Sequence, residues 1–132
     1  MKKKIIIVCL IVVVIISVVI TALVVSRDNN EEENVIGTFD LNDYSDTIEK
    51  FKSDKYVNKS TDAESVKAEA EKIWIEIYGD DIIDQRPYKV SFDDENKIWL
   101  VEGTIPKNVD GGVAYILIEK DTGKVLAVWH TK

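Results

Sequence analysis

The chain has 132 residues, with 17 Lys and Arg against 24 Asp and Glu, one His and one Cys. Beyond residue 25 the balance is 14 basic to 24 acidic, a net charge of −10, so phosphate repulsion argues against nucleic acid as a direct ligand. One Cys excludes an internal disulfide framework, and an apolar content of 45% is too high for a wholly disordered chain.

Ile5–Val25 carries no charge, and 17 of its 21 residues are Ile, Val or Leu. At helical rise it spans roughly 32 Å, close to the roughly 30 Å hydrocarbon core of a bilayer. Such side chains favour insertion by roughly 5–10 kcal/mol in total. The spacing predicts a transmembrane helix, in which Ser17 and Thr21 bond their own backbone. Lys2–Lys4 precede it, and Arg27, Asp28 and Glu31–Glu33 follow it. The positive-inside rule therefore places the amino end in the cytoplasm and the rest of the chain outside. A cleaved signal peptide is the competing reading, but the apolar run is too long and Val24-Val25-Ser26 is a weak cleavage site. Cys9 reads as a small apolar filler within the span.

Four regions are expected: a basic cytoplasmic flank (1–4), the span (5–25), an acidic linker (26–34) and an α+β domain (35–132). Arg27–Asn34 has no periodicity and would be repelled by anionic headgroups. Leu41, Tyr44, Ile48 and Phe51 fall at helical spacing and predict a helix over Asn42–Lys52. Thr61-Asp62-Ala63-Glu64 fits a capping box opened by Thr61. Ala63, Val66, Ala70, Ile73, Trp74 and Ile77 then form one apolar stripe. Gly79 stands where a left-handed cap is wanted, and Trp74 and Tyr78 are expected in the core.

After Asp84 the period becomes two. Tyr88, Val90 and Phe92 alternate with polar residues beyond Pro87. Asp93–Lys97 reads as a turn, Ile98–Thr104 as a second strand with Trp99 and Val101 on one face, and Ile105–Gly112 as a loop. Val113–Lys120 is nearly continuous in apolar residues and reads as a strand covered on both faces. Asp121-Thr122-Gly123-Lys124 turns into Val125–His130. The expected architecture is α+β, with helices on one face of a four-stranded antiparallel meander.

Catalytic chemistry finds little material. His130 is the lone imidazole and nothing nearby in sequence marks a nucleophile or an orienting acid. Zinc ligands are lacking. Asp80-Asp81-x-x-Asp84 and Asp93-Asp94-Glu95 could offer oxygens to calcium, but neither matches a calcium loop, and both read as solvated acidic loops. Gly111-Gly112 has no phosphate-loop spacing and reads as a turn. Asn58-Lys59-Ser60 is a glycosylation triplet of the kind that arises by chance. No cofactor, metal or small-molecule substrate is indicated, and an enzyme is disfavoured.

From Tyr56 to Leu126 the chain resembles the NTF2-fold immunity proteins of bacterial polymorphic toxin systems. The resemblance rests on Ile73-Trp74-Ile75-Glu76-Ile77-Tyr78-Gly79, on Gln85-Arg86-Pro87-Tyr88-Lys89-Val90, and on the run from Ile98 through Trp99, Gly103, Thr104 and Pro106 to Lys107. Gly111-Gly112-Val113-Ala114-Tyr115-Ile116 and Asp121-Thr122-Gly123-Lys124-Val125-Leu126 complete it. It implies a helix-backed curved antiparallel sheet and a protein that blocks a cognate toxin by binding it, without catalysis. In that light Trp74, Tyr78, Gly79, Arg86, Pro87, Trp99, Gly103, Thr104, Pro106, Gly111, Gly112 and Gly123 are structural motif residues. Many immunity proteins act in the cytoplasm, whereas the span places this domain outside. A second resemblance, to PepSY-like extracytoplasmic domains linked to peptidase regulation, rests on Tyr88-x-Val90-x-Phe92 and the last hairpin. An enzyme built in an NTF2-like cavity would need polar groups converging on His130. For the binding reading, Asp80, Asp81, Asp84, Asp93, Asp94 and Glu95 are the expected contacts, steering a basic toxin by their charge.

Overall fold

Period-two patterning over residues 88–130 becomes four consecutive antiparallel strands in the computed structural model, which describes residues 36–132. These are β2 (Lys89–Asp93), β3 (Ile98–Glu102), β4 (Ala114–Glu119) and β5 (Val125–His130). Phe92 pairs with Trp99, and Trp99 with Ile118, so alternate residues share a face across the sheet. A two-residue strand, β1 (Gly37–Thr38), pairs parallel to β2 at Ser91 and Phe92. The sheet therefore has five strands in the order β1-β2-β3-β4-β5 rather than four, and it is curved. A register shift at Leu117/Ile118 inserts one extra residue of β5 and bends that edge.

Helix α2 (Ala63–Tyr78) is set by its apolar stripe. Val66, Ala70, Ile73 and Trp74 pack with Tyr88, Val90, Trp99, Val101, Ile116 and Ile118. Trp74 is 0% exposed, its ring edge-on to Tyr88 at 5.0 Å. The indole N–H groups of Trp74 and Trp99 donate to the carbonyls of Tyr115 and Ser60, so neither ring costs a buried donor. The stripe ends sooner than its spacing predicts. Ile77 and Tyr78, in the last turn, are exposed rather than core.

The capping box is displaced by one residue. Asp62, not Thr61, has the extended backbone of a cap; its carboxylate accepts from the Ser65 N–H, and Ser65 Oγ faces the Asp62 N–H. Gly79 does close the helix with positive φ, 89°, but its ψ of 178° is extended rather than left-handed helical.

The helical spacing of Leu41, Tyr44, Ile48 and Phe51 is realised as a 3-10 turn (Leu41–Tyr44) followed by the short helix α1 (Ser45–Lys50). All four side chains pack against a second core of Ile98, Leu100, Leu117, Ala127 and Trp129. Helices therefore cover both sheet faces, not one. The reason lies in β3, where Ile98 and Leu100 are as buried as Trp99 and Val101 and bury the face opposite α2. The chain between α1 and α2 closes the outer edge of β5. Val125 and Val128 donate to the carbonyls of Lys55 and Phe51, and Ser53 and Val57 donate to those of Leu126 and Gly123. Gly123 fits this approach because a Cβ would lie 2.0 Å from the Val57 carbonyl oxygen.

Among the described residues no helix is long and apolar enough to cross a membrane. The expected span Ile5–Val25, the basic flank and the acidic linker lie outside them.

Candidate functional site

Six residues after α2 form a 3-10 helix, Asp80–Gln85, and its last residue organises one end of the sheet. The Gln85 carbonyl accepts from the Thr104 N–H at 2.8 Å and from its hydroxyl at 3.2 Å. The Gln85 side-chain oxygen accepts from the Ala114 N–H at 2.8 Å. Both ends of the β3–β4 loop are thus pinned to one glutamine. Close approach explains two motif glycines, one against Gln85 and one against Thr131. A Cβ on Gly103 would lie 2.2 Å from Gln85 Oε1, and one on Gly112 would lie 1.6 Å from the Thr131 carbonyl oxygen.

Between the 3-10 helix and this loop lies a groove of about 430 Å³, lined by Asp81, Asp84, Gln85, Thr104, Ile105, Pro106, Val109, Asp110, Gly111 and Gly112. Ile105 is 41% and Val109 56% exposed. No Lys or Arg nitrogen lies within ion-pair distance of Asp81, Asp84 or Asp110 among the described residues. The groove therefore offers apolar surface and unneutralised carboxylates together.

Of the six expected contacts, Asp81 and Asp84 line this groove and Asp80 begins the same 3-10 helix. Asp93, Asp94 and Glu95 lie at the far end of β2, about 16 Å along a five-residue strand. Asp93 is not solvated: it is 4% exposed. Its carboxylate accepts from the Asn96 side chain and backbone and from the Leu41 N–H, which together hold it below the usual carboxylate range. It ties the 3-10 turn at Leu41 to the β2–β3 turn. Asp94 is exposed and paired with Lys97. Sequence reasoning missed Asp110, Ile105 and Val109, which fall within the expected Ile105–Gly112 loop. Two exposed aliphatic residues in a Gly- and Pro-bearing loop were the available signal.

A second groove, about 540 Å³, runs between α2 and the Arg86–Pro87–Tyr88 segment, whose Arg86–Pro87 bond is cis. Arg86 Nε donates to Glu71 Oε2 at 2.8 Å, and the Tyr88 hydroxyl donates to the same oxygen at 2.7 Å. Arg86 lowers the Glu71 pKa, while burial and the Glu71 contact push Tyr88 up to about 12. Neither group is tuned for proton transfer near neutrality. Glu71, Arg86 and Tyr88 form a strut between α2 and the segment leading into β2, and the motif residue Arg86 belongs to it.

His130 lines neither groove. Its Nδ1 faces the Thr131 carbonyl, its Nε2 faces Gln85 Nε2 at 3.4 Å, and Tyr78 packs edge-on to its ring at 5.5 Å. Because Gln85 Oε1 is committed to Ala114, the Gln85 amide presents its donor to His130. Among the described residues the ring of His130 is thus held by Gln85, Thr131 and Tyr78 at the end of β5. Among the described residues no group of His, Cys, Asp and Glu is arranged to hold a metal ion.

Residues 67–132 match the family model described as NTF2 fold immunity protein. No curated protein and no solved structure matches the chain. The matched region runs from the second turn of α2 through all four antiparallel strands and includes the pinned loop and its glycines. Of the two resemblances in the sequence, this is the immunity one rather than the PepSY-like one. The chain belongs to the NTF2 fold immunity protein family.

Proposed function

We propose that this protein neutralises a cognate protein toxin by binding it, without catalysis, and does so from the outer side of a membrane to which its amino-terminal segment holds it. The observation that carries the binding role is the groove between Asp80–Gln85 and the β3–β4 loop. There, unneutralised acids from the 3-10 helix and the loop adjoin exposed aliphatic side chains of a loop fixed at both ends. A partner meeting such a surface finds a buried-contact anchor beside a steering charge, the usual division of labour in a specific interface. Family membership supports a toxin as that partner. The net charge of −10 beyond residue 25 favours a basic one.

The anchoring part rests on the uncharged Ile5–Val25 run and the three lysines before it. Two measurements test the proposal. A toxin gene is expected beside the gene for this chain, and cells expressing that toxin should survive when the full chain is co-expressed and die without it; absence of such a neighbour, or no protection, would reject neutralisation. Protease added to intact spheroplasts should degrade the carboxy-terminal domain; its survival, or mature protein beginning after residue 25, would reject the anchored topology.

A further inference from the structure

The groove beside Gln85 has a chemistry that selects its occupant. We propose that it receives a basic, apolar-flanked segment of the partner, a lysine or arginine seated among Asp81, Asp84 and Asp110 with an adjacent aliphatic side chain on Ile105 and Val109. This deepens the toxin-binding reading and rests on it.

Three features select that occupant. Asp81, Asp84 and Asp110 line one groove from two different elements, the 3-10 helix and the β3–β4 loop. Among the described residues they have no ion-pair partner, unlike Glu71 and Glu76, which are paired with Arg86 and Lys55. Lys107, on the same loop, is not among the lining residues. An anionic segment would therefore meet three like charges, and a purely apolar one would strip water from carboxylates with nothing to replace it. A cation flanked by aliphatic carbon satisfies both surfaces. The volume, about 430 Å³, suits a few side chains rather than a whole helix. The loop is also held at both ends by Gln85, so little ordering accompanies binding.

The test uses the full chain, isotope-labelled and held in phosphatidylcholine nanodiscs. The probes are two capped tetrapeptides, Lys-Leu-Lys-Leu and Glu-Leu-Glu-Leu. The expected result is amide shift changes over residues 81–85 and 105–112 with the lysine peptide alone. Asp84→Asn with Asp110→Asn should weaken that binding about fivefold. Equal response to both peptides, or changes confined elsewhere, would overturn the inference. If the double variant does not fold, Val109→Ser carries the test, since loss of its aliphatic contact should weaken the lysine peptide while leaving the Trp74 indole signal in place; unchanged binding by that variant would overturn the inference. A parallel arm uses the toxin that the proposed function expects to be encoded beside this chain. Full-strength binding by a folded double variant would sink the groove while leaving the immunity role standing. Failure of the unmodified chain to bind that toxin would sink the role, with the groove still judged by the peptides.

Discussion

Replacing Gln85 by Ala should loosen the loop that carries the site, by an amount the geometry sets. The Ala114 N–H donates to Gln85 Oε1 at 2.8 Å, and Ala114 is 0% exposed. Removing the acceptor leaves a buried backbone donor unsatisfied, which costs about 1–3 kcal/mol. For a domain near 100 residues this lowers Tm by about 4 °C at the low end and about 20 °C at the high end. The backbone bonds from Thr104 to the Gln85 carbonyl remain, so the loss should be local. Amide exchange at Ala114 and in residues 104–113 should accelerate while α2 stays protected. Gly103→Ala attacks the same contact from the other side, because its Cβ would meet Oε1 at 2.2 Å but Gln85 Cβ only at 3.0 Å. Much of that clash disappears once Gln85 is Ala. The double variant should therefore be less destabilised than the sum of the singles, with a coupling of about 1 kcal/mol or more. Thermal unfolding followed by tryptophan fluorescence measures the stabilities, and hydrogen exchange the location. Additive effects, or a Gln85→Ala protein melting within about 2 °C of its parent with unchanged Ala114 exchange, would refute the pinning argument.

Trp74→Ala should cost about 3–5 kcal/mol, because the indole is fully enclosed between α2 and the sheet; urea unfolding would expose the error if the loss were below about 1 kcal/mol. Asp62→Ala should lower Tm whereas Thr61→Ala should not, since Asp62 is the residue that caps α2; the reverse order would restore the box expected from sequence. The Glu71 pKa lies below its ordinary 4.5 because of Arg86, so its contribution is present above 4.5 and lost as pH falls through the lowered value. Glu71→Gln should flatten stability against pH in that acidic window, and an unaltered acid limb would contradict the strut. The Tyr88 pKa is raised from 10.0 to about 12 by burial and Glu71, so its contribution holds below 10.0 and fades as pH rises through about 12. Tyr88→Phe should remove that alkaline loss, as circular dichroism between these pH values would register.

The sequence carried most of the sheet because each strand is short, bounded by turn residues and patterned. Val125–His130 was readable to the residue, and the others to within two. What escaped depends on partners remote in sequence. β1 is two residues long and gains its place only by pairing with Ser91 and Phe92. The second core was hidden because Ile98 and Leu100 look like any apolar run until α1 is seen against them. Thr61 and Asp62 are both competent caps, and only the backbone turn into Ala63 decides between them. The acidic runs were visible as charge but not as geometry. Asp93 is spent on Asn96 and Leu41, while Asp110, within the expected loop, lines the same groove as Asp81 and Asp84. A groove formed by two segments some 20 residues apart has no signature in either one.

Hydrogen exchange on the full chain, alone and with the proposed toxin partner bound, tests the account most directly. Protection gained at residues 81–85 and 104–112, with α1 and the β2–β3 turn unchanged, is the expected footprint. A complex that protects the β2–β3 turn or the α2–Arg86 groove while leaving the Gln85-pinned loop as open as before would contradict it.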